Sequence, residues 1–210
     1  EELILAYADR LPVKTARFAN VVFSNGSLPQ GFLDRLAKRQ PWSCPRGIRR
    51  FFVSPMESGE LCLLASLIGA GGDIVFPKLD EARDMIGFDQ VAIDLLHALG
   101  MEPDVCTSEA EALLRPLSGR NGVDKRETAS WPVYFFDSDT SGEKAFEEFY
   151  TAEENLDLEK FVNLGVVKNA RKRGLTEIDS ICGELEALFA RDTVTKAEVV
   201  AALKGYLPNF

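Results

Sequence analysis

A mixed α/β fold is predicted for these 210 residues by three observations. A strand of the buried type, Val13 to Phe23, runs into a capped helix; strand-then-helix order recurs further along; and beyond Glu143 the pattern becomes helical. Before the strand, Leu3, Ile4, Ala6 and Tyr7 lay an apolar stripe on a first helix. It ends near Leu11-Pro12, because the residue before a proline avoids helical angles. Val13 to Phe23 is rich in β-branched and aromatic residues with little polar alternation, as in strands covered on both faces. It breaks at Ser24-Asn25-Gly26-Ser27, where Ser27 can cap the next helix, Pro29 suits its first turn, and Phe32, Leu33 and Leu36 recur at helical spacing.

Pro41 to Cys44 and Arg49 to Val53 read as brief strands around a Pro45-Arg46-Gly47 turn. Glu57 to Ile68 carries Leu61, Leu64, Ala65 and Ile68 on one helical face and stops at Gly69 to Gly72. Asp73 to Phe76 is a short apolar strand, and Phe88 to Leu99 a helix closed by Gly100. Thr107 to Leu117 reads as a helix, Ser118 to Ser130 as a polar loop, and Trp131 to Phe136 as a strand. The helical patterns after Glu143 include Thr176 to Ala190 and Thr195 to Leu203, and Leu156 to the end reads as a helical appendix.

With 46% hydrophobic and 27% charged residues the chain can bury a core. A formal net charge of -9 argues against a nucleic-acid partner, so any anionic ligand must be met by local arginines. No apolar run reaches the roughly 18 residues that would span a bilayer, and the start has no signal-peptide pattern. The expectation is a soluble, cytoplasmic protein with no membrane partner. Cys44, Cys62, Cys106 and Cys182 form no C-x-x-C pair and His97 is the one histidine, so reduced thiols and no metal site are expected. His97, among Leu95, Leu96 and Leu99, reads as a partly packed structural residue. Asp137-Ser138-Asp139 lacks the ligand spacing of a metal loop. Glu1 stands where Met would, and the first helix has no N-cap residue, so an upstream segment is expected to have been removed.

The stretch most informative about chemistry is Arg17 to Pro29, a buried-type strand ending in polar residues at its carboxyl edge, where open α/β sheets bind ligands. The helix start near Leu28 offers free N–H groups to an anion, although the residues by themselves read first as an ordinary capped turn. This stretch resembles the R-x-G-N-V-x-x-S-x-G-S-V-x-P-x-F segment of polysaccharide-biosynthesis dehydratases and epimerases. These are extended short-chain dehydrogenases/reductases, the group containing UDP-N-acetylglucosamine 4,6-dehydratases. Arg17, Asn20, Val21, Ser24, Gly26, Ser27 and Phe32 match; Ala19 replaces glycine, Leu28 replaces valine, and Pro29 comes one place early. Two further landmarks follow in the family's order. Arg50-Phe51-Phe52 with Glu57 resembles T-R-[FY]-F and its glutamate, with Arg49 in place of threonine. Gly142-Glu143-Lys144 with Glu147-Glu148 resembles R-P-G-E-K-x-x-E-E, with Thr140 and Ser141 in place of Arg-Pro.

The resemblance covers about residues 1–155. It implies the C-terminal remainder of a Rossmann-type sheet plus a small mixed α/β substrate-binding domain over 1–155, with residues 156–210 as a helical C-terminal extension. It places Phe18 and Ala19 beside the nicotinamide of NAD or NADP, Asn20 against the sugar or pyrophosphate, and Ser27, Leu28 and Pro29 along the nucleotide pocket. Arg50 would pair with the pyrophosphate, for which a planar, permanently charged fork is suited. Glu143 would orient a ribose or begin the next helix, and Arg120, Lys125 and Arg126 are candidates to complete the phosphate grip. The implied substrate is a UDP-sugar, an N-acetylhexosamine. In the resembling enzymes a hydride leaves C4 for the cofactor, water is lost across C5 and C6, and the hydride returns to C6.

Neither a G-x-x-G-x-x-G turn nor a Tyr-x-x-x-Lys pair occurs in the chain. No catalytic residue is therefore assigned, and the cofactor is expected in the intact protein and not bound to this chain. An epimerase or a simple 4-dehydrogenase would share the same landmarks, and a stand-alone binding or assembly module is the alternative of a different class. An uncovered sheet edge and apolar helix faces predict self-association into a homo-oligomer.

Overall fold

The computed structural model describes residues 1–116, 129–138 and 148–207. In chain order the first elements are α1 (Glu2–Leu5), β1 (Thr15–Ala16), β2 (Asn20–Val21), α2 (Leu28–Ala37), β3 (Trp42–Arg46), β4 (Arg49–Val53) and α3 (Pro55–Ile68). Next come β5 (Ile74–Pro77), α4 (Glu81–Asp84), β6 (Met85–Gly87), α5 (Phe88–Ala98), β7 (Met101–Cys106), α6 (Glu109–Leu114) and β8 (Ala129–Asp137). The last are β9 (Leu156–Asp157), β10 (Leu164–Val167), α7 (Leu175–Phe189) and α8 (Lys196–Tyr206), so the class is mixed α/β, as predicted. Among the described residues, no helix is long and apolar enough to cross a membrane.

Two compact units divide the chain: Glu1–Arg17 with Cys62–Phe76 and Tyr150–Phe210, and Phe18–Leu61 with Pro77–Phe149. The first unit is built on a four-stranded sheet of order β1-β5-β10-β9, with β1 parallel to β5 and β9 antiparallel to β10. Its strands bury Ile74, Val75, Phe76, Val166 and Val167. Gly165 is required here, because an added Cβ would lie 2.3 Å from the Phe76 ring. Charged side chains tie the outlying segments to this sheet. Arg173, 8% exposed at its side chain, donates to Glu2, to Glu177 and to the carbonyl of Tyr206, joining α1, α7 and the end of α8. Buried Asp73 accepts from the Ala70 N–H and pairs with Lys168 Nζ at 3.2 Å.

The second unit holds two three-stranded sheets, β2-β4-β6 and β3-β8-β7. In the latter β8 runs parallel to both neighbours. Trp42, Cys44, Trp131 and Val133 of that sheet pack with Phe32 of α2 and with Ala92 and Leu96 of α5, and the rings of Phe32 and Trp42 stack at 4.6 Å. Burial pushes the Cys44 thiol up to about 12, so it stays protonated as a small apolar filler. A second cluster joins Ala19, Phe51 and Met85 around β2, β4 and β6, with Phe149 stacked on Phe51 at 5.4 Å.

Several expectations hold and others change. Ser27 caps α2, α3 and α5 fall where the periodicity places them, and Gly100 closes α5 at a positive φ of 75°. The single strand over Val13 to Phe23 is instead two short ones in different sheets, because the chain leaves the first unit at Arg17 and enters the second at Phe18. β3 and β4 flank the predicted turn but join separate sheets. The stretch read as helical after Glu143 contains β9 and β10, which complete the first sheet. β7 was not expected, since Glu102, Pro103 and Asp104 break apolar alternation; it lies at a sheet edge, where proline is tolerated. Leu64 and His97 are exposed, and His97 Nε2 lies 3.3 Å from Glu102 Oε2.

Candidate functional site

The candidate site residues Phe18, Ala19, Asn20, Ser27, Leu28, Pro29 and Arg50 all belong to the second unit. β2 pairs in parallel with β4, setting Asn20 opposite Phe52, and the Asn20 amide donates to the Phe51 carbonyl at 3.2 Å. Because side chains alternate along a strand, Arg50 shares the face of Phe52 and hence of Asn20. The Arg50 guanidinium donates to the Arg49 carbonyl at 2.8 Å and lies over the Phe88 ring, 5.6 Å from its centre. Phe52 and Phe88 are themselves 6.3 Å apart, so an arginine and two aromatic rings share this face of the sheet.

The turn from β2 into α2 is folded by its own side chains. Phe23 and Gly26 take positive φ values of 57° and 81°, and Ser24 Oγ donates to the Val21 carbonyl at 2.8 Å. Ser27 accepts from the Gln30 N–H, and Pro29 has none to give. Of the first-turn donors of α2, that leaves the N–H of Leu28 for an anion, so Arg50 would carry most of any phosphate charge here. Pro29 is buried and Ser27 and Leu28 half-buried. Phe18 exposes its ring, whereas Ala19 is buried against Phe51 and Met85 and can offer a ligand only its backbone. Glu143, Arg120, Lys125 and Arg126 lie outside the described residues, as does Thr140.

Two motif residues have structural roles. Arg17 donates to Glu1 at 2.7 Å and to both Glu154 oxygens at 2.9 and 2.7 Å. Burial opposes its charge, but the bonds to Glu154 and then Glu1 outweigh that and raise the guanidinium above its ordinary pKa. Glu57 caps α3: it accepts from the Ser54 N–H at 2.6 Å while Ser54 Oγ accepts from the Glu57 N–H at 3.1 Å. Those bonds, the Ser54 backbone first, hold the Glu57 carboxyl below its usual range.

A dinucleotide cofactor needs a glycine-rich turn leading from strand into helix. Gly69 to Gly72 runs from α3 into β5, the opposite order, and the sequence has no G-x-x-G-x-x-G run. Among the described residues this turn therefore lacks the strand-to-helix order of such a seat. No group of metal-ligating side chains occurs among them either.

Fold and site together define an α/β protein that presents an arginine on an aromatic ring at a sheet face. Residues 4–122, more than half of the chain, match the family described as polysaccharide biosynthesis protein, and the chain belongs to that family. No curated protein matches it. Among solved structures, the X-ray structure of Pen from Bacillus thuringiensis is similar at 19% identity and a TM-score of 0.48, over 76% of this chain and 41% of that one. This chain thus spans less than half the length of that protein.

Proposed function

We propose that this chain is the nucleotide-sugar-binding part of a 4,6-dehydratase or epimerase of polysaccharide or surface-glycan biosynthesis, an extended short-chain dehydrogenase/reductase acting on a UDP-linked N-acetylhexosamine. The observation that carries this reading is Arg50, held over Phe88 on the sheet face shared with Asn20. A guanidinium fork can bind two oxygens of one pyrophosphate, and stacking on a ring fixes its plane. Asn20 then serves the sugar or pyrophosphate, and Ser27, Leu28 and Pro29 border the nucleotide. Glu143 serves the ribose. Phe18 and the Ala19 backbone lie beside the nicotinamide of an NAD or NADP held by the intact, cytoplasmic, homo-oligomeric protein. The oxidation and reduction belong to that intact protein, and no catalytic residue is assigned to this chain.

Calorimetric titration with UDP and with UDP-N-acetylglucosamine tests the reading. Both should bind the chain, and Arg50→Ala should weaken each by at least about tenfold, the effect of losing a charge-assisted pair. Absence of binding to both, or equal binding by Arg50→Ala, would overturn it.

A further inference from the structure

Three non-glycine residues among those described take a positive φ: Phe23 at 57°, Arg39 at 54° and Asn169 at 49°. Asparagine tolerates the left-handed region, and Arg39 directly follows the C-cap of α2, where helices commonly end in that conformation. Neither reason applies to Phe23. A bulky aromatic residue in this region is an outlier, and strain of this kind clusters where a site makes use of it. The turn itself has no need of the ring. Ser24 Oγ donates to the Val21 carbonyl and the Ser27 N–H to the Ser24 carbonyl at 2.9 Å, so backbone and hydroxyl groups close it, and glycine or asparagine would fit position 23 better. Nor does the ring serve the core, since Phe23 is 51% exposed.

The place of this ring fits a ligand contact. β2 and β4 run parallel and each leads into a helix, α2 at Leu28 and α3 at Pro55, so their carboxyl ends share one edge, where open α/β sheets hold ligands. Phe23 stands at that edge, between the end of β2 at Val21 and the Ser27 cap of α2. In the register Asn20 is opposite Phe52; Arg50 lies two residues from there toward the amino end, and Phe23 three residues toward the carboxyl end. At about 3.3 Å per residue the two are roughly 16 Å apart along the strand direction. An extended nucleoside diphosphate whose phosphates meet Arg50 carries its base over a distance of this order, toward Phe23.

Resting on the nucleotide-sugar reading, we propose that Phe23 is the platform on which the nucleobase stacks, a contact that reading does not contain. Every base has a flat π face, so the ring supplies affinity for the base without choosing among bases. Stacking at one end and the Arg50 fork at the other then fix the nucleotide at both of its ends.

The test separates those ends. Uridine, pyrophosphate, UDP and UDP-N-acetylglucosamine are titrated into the whole chain and into Phe23→Asn, Phe23→Gly and Arg50→Ala, with the uracil H5 and H6 resonances followed by NMR. Asparagine and glycine both keep the left-handed backbone while removing the ring, so an unchanged circular dichroism spectrum is expected of each. With the parent chain H5 and H6 should move upfield, as protons over an aromatic face do. Both Phe23 variants should abolish that shift and weaken uridine and UDP about tenfold, the effect of losing one base–aromatic stack, while leaving pyrophosphate binding unchanged. Arg50→Ala should do the reverse, weakening pyrophosphate and UDP and sparing uridine. UDP binding that both Phe23 variants leave undiminished, with the Arg50→Ala effect intact, would overturn the platform and keep the nucleotide-sugar reading. No binding of UDP or UDP-N-acetylglucosamine to the parent chain would overturn both. A loss confined to UDP-N-acetylglucosamine would put the sugar on this ring in place of the base, and the platform would fall.

Discussion

The two units of this protein are stabilised by different chemistry. In the second, rings and branched chains meet in one cluster, with Phe32 stacked on Trp42 and both set against Trp131, Leu96 and Val133. In the first, a small sheet buries five apolar side chains, and the segments around it are fastened by ion pairs: Arg17 to Glu1 and Glu154, Arg173 to Glu2 and Glu177, Lys168 to Asp73, Lys172 to Asp9. The contrast teaches that sequence-distant segments can be held by a few directional contacts where shared apolar area is limited. Such contacts are sensitive to pH and salt in a way that ring stacking is not.

The largest expected effect comes from the aromatic side. Phe32→Ala should cost about 3–5 kcal/mol by removing a buried ring and leaving a cavity. Both tryptophans report it, since each sits in the second unit, and denaturant unfolding followed by fluorescence would measure it. A loss under about 1 kcal/mol would mean that the stack is not what holds this unit. On the ionic side Arg17→Met should cost about 2 kcal/mol, less than a fully buried pair because the Arg17 side chain is a quarter exposed. The pH signature is sharper than the magnitude. Arg17 holds the Glu154 carboxyl below its usual range, so this contribution is present above the ordinary carboxylate pKa near about 4.3 and lost as pH falls through the lower folded value. Thermal melts from pH 7 down to about 3 should therefore show a steeper fall for the parent chain than for Arg17→Met; parallel curves would remove the ionic account.

The third test asks whether the first unit also depends on close packing. Gly165→Ala drives a methyl into the Phe76 ring and should cost about 1–3 kcal/mol, read as a lower Tm by circular dichroism. The smallest effect has the opposite sign. Gly31→Ala, in open space within α2, should raise stability by about 0.5–1 kcal/mol, seen as a higher midpoint in the same fluorescence assay.

What could be read from the sequence follows from where each signal resides. Ser27, Pro29 and the Phe32-Leu36 spacing are local signals, and α2 starts where they say. The same is true of the Gly100 closure of α5. The division of Val13 to Phe23 was not legible, because nothing between Arg17 and Phe18 breaks a strand; Arg17 is held by Glu154 from far along the chain, and Ala19 by Phe51 and Met85. β9 and β10 span two and four residues, too few for periodicity to register. At the candidate site the residue types were legible and their company was not. Arg50 stood out, but Phe88, the ring beneath it, comes after four intervening elements and gave no local cue.

The order of segments in the two units also fixes a sequence of events at the ribosome. The second unit is complete once residue 149 has emerged, and its parallel sheet and aromatic cluster can assemble while the remainder is still being made. The first unit draws on residues 1–17, 62–76 and 150–210, so β1 and β5 must wait for β10 to arrive. Joining strands so far apart requires closing long loops, which slows folding. During translation Ile74, Val75 and Phe76 are made well before the strand that pairs with theirs, so this edge of the nascent sheet stays unpaired until β10 arrives.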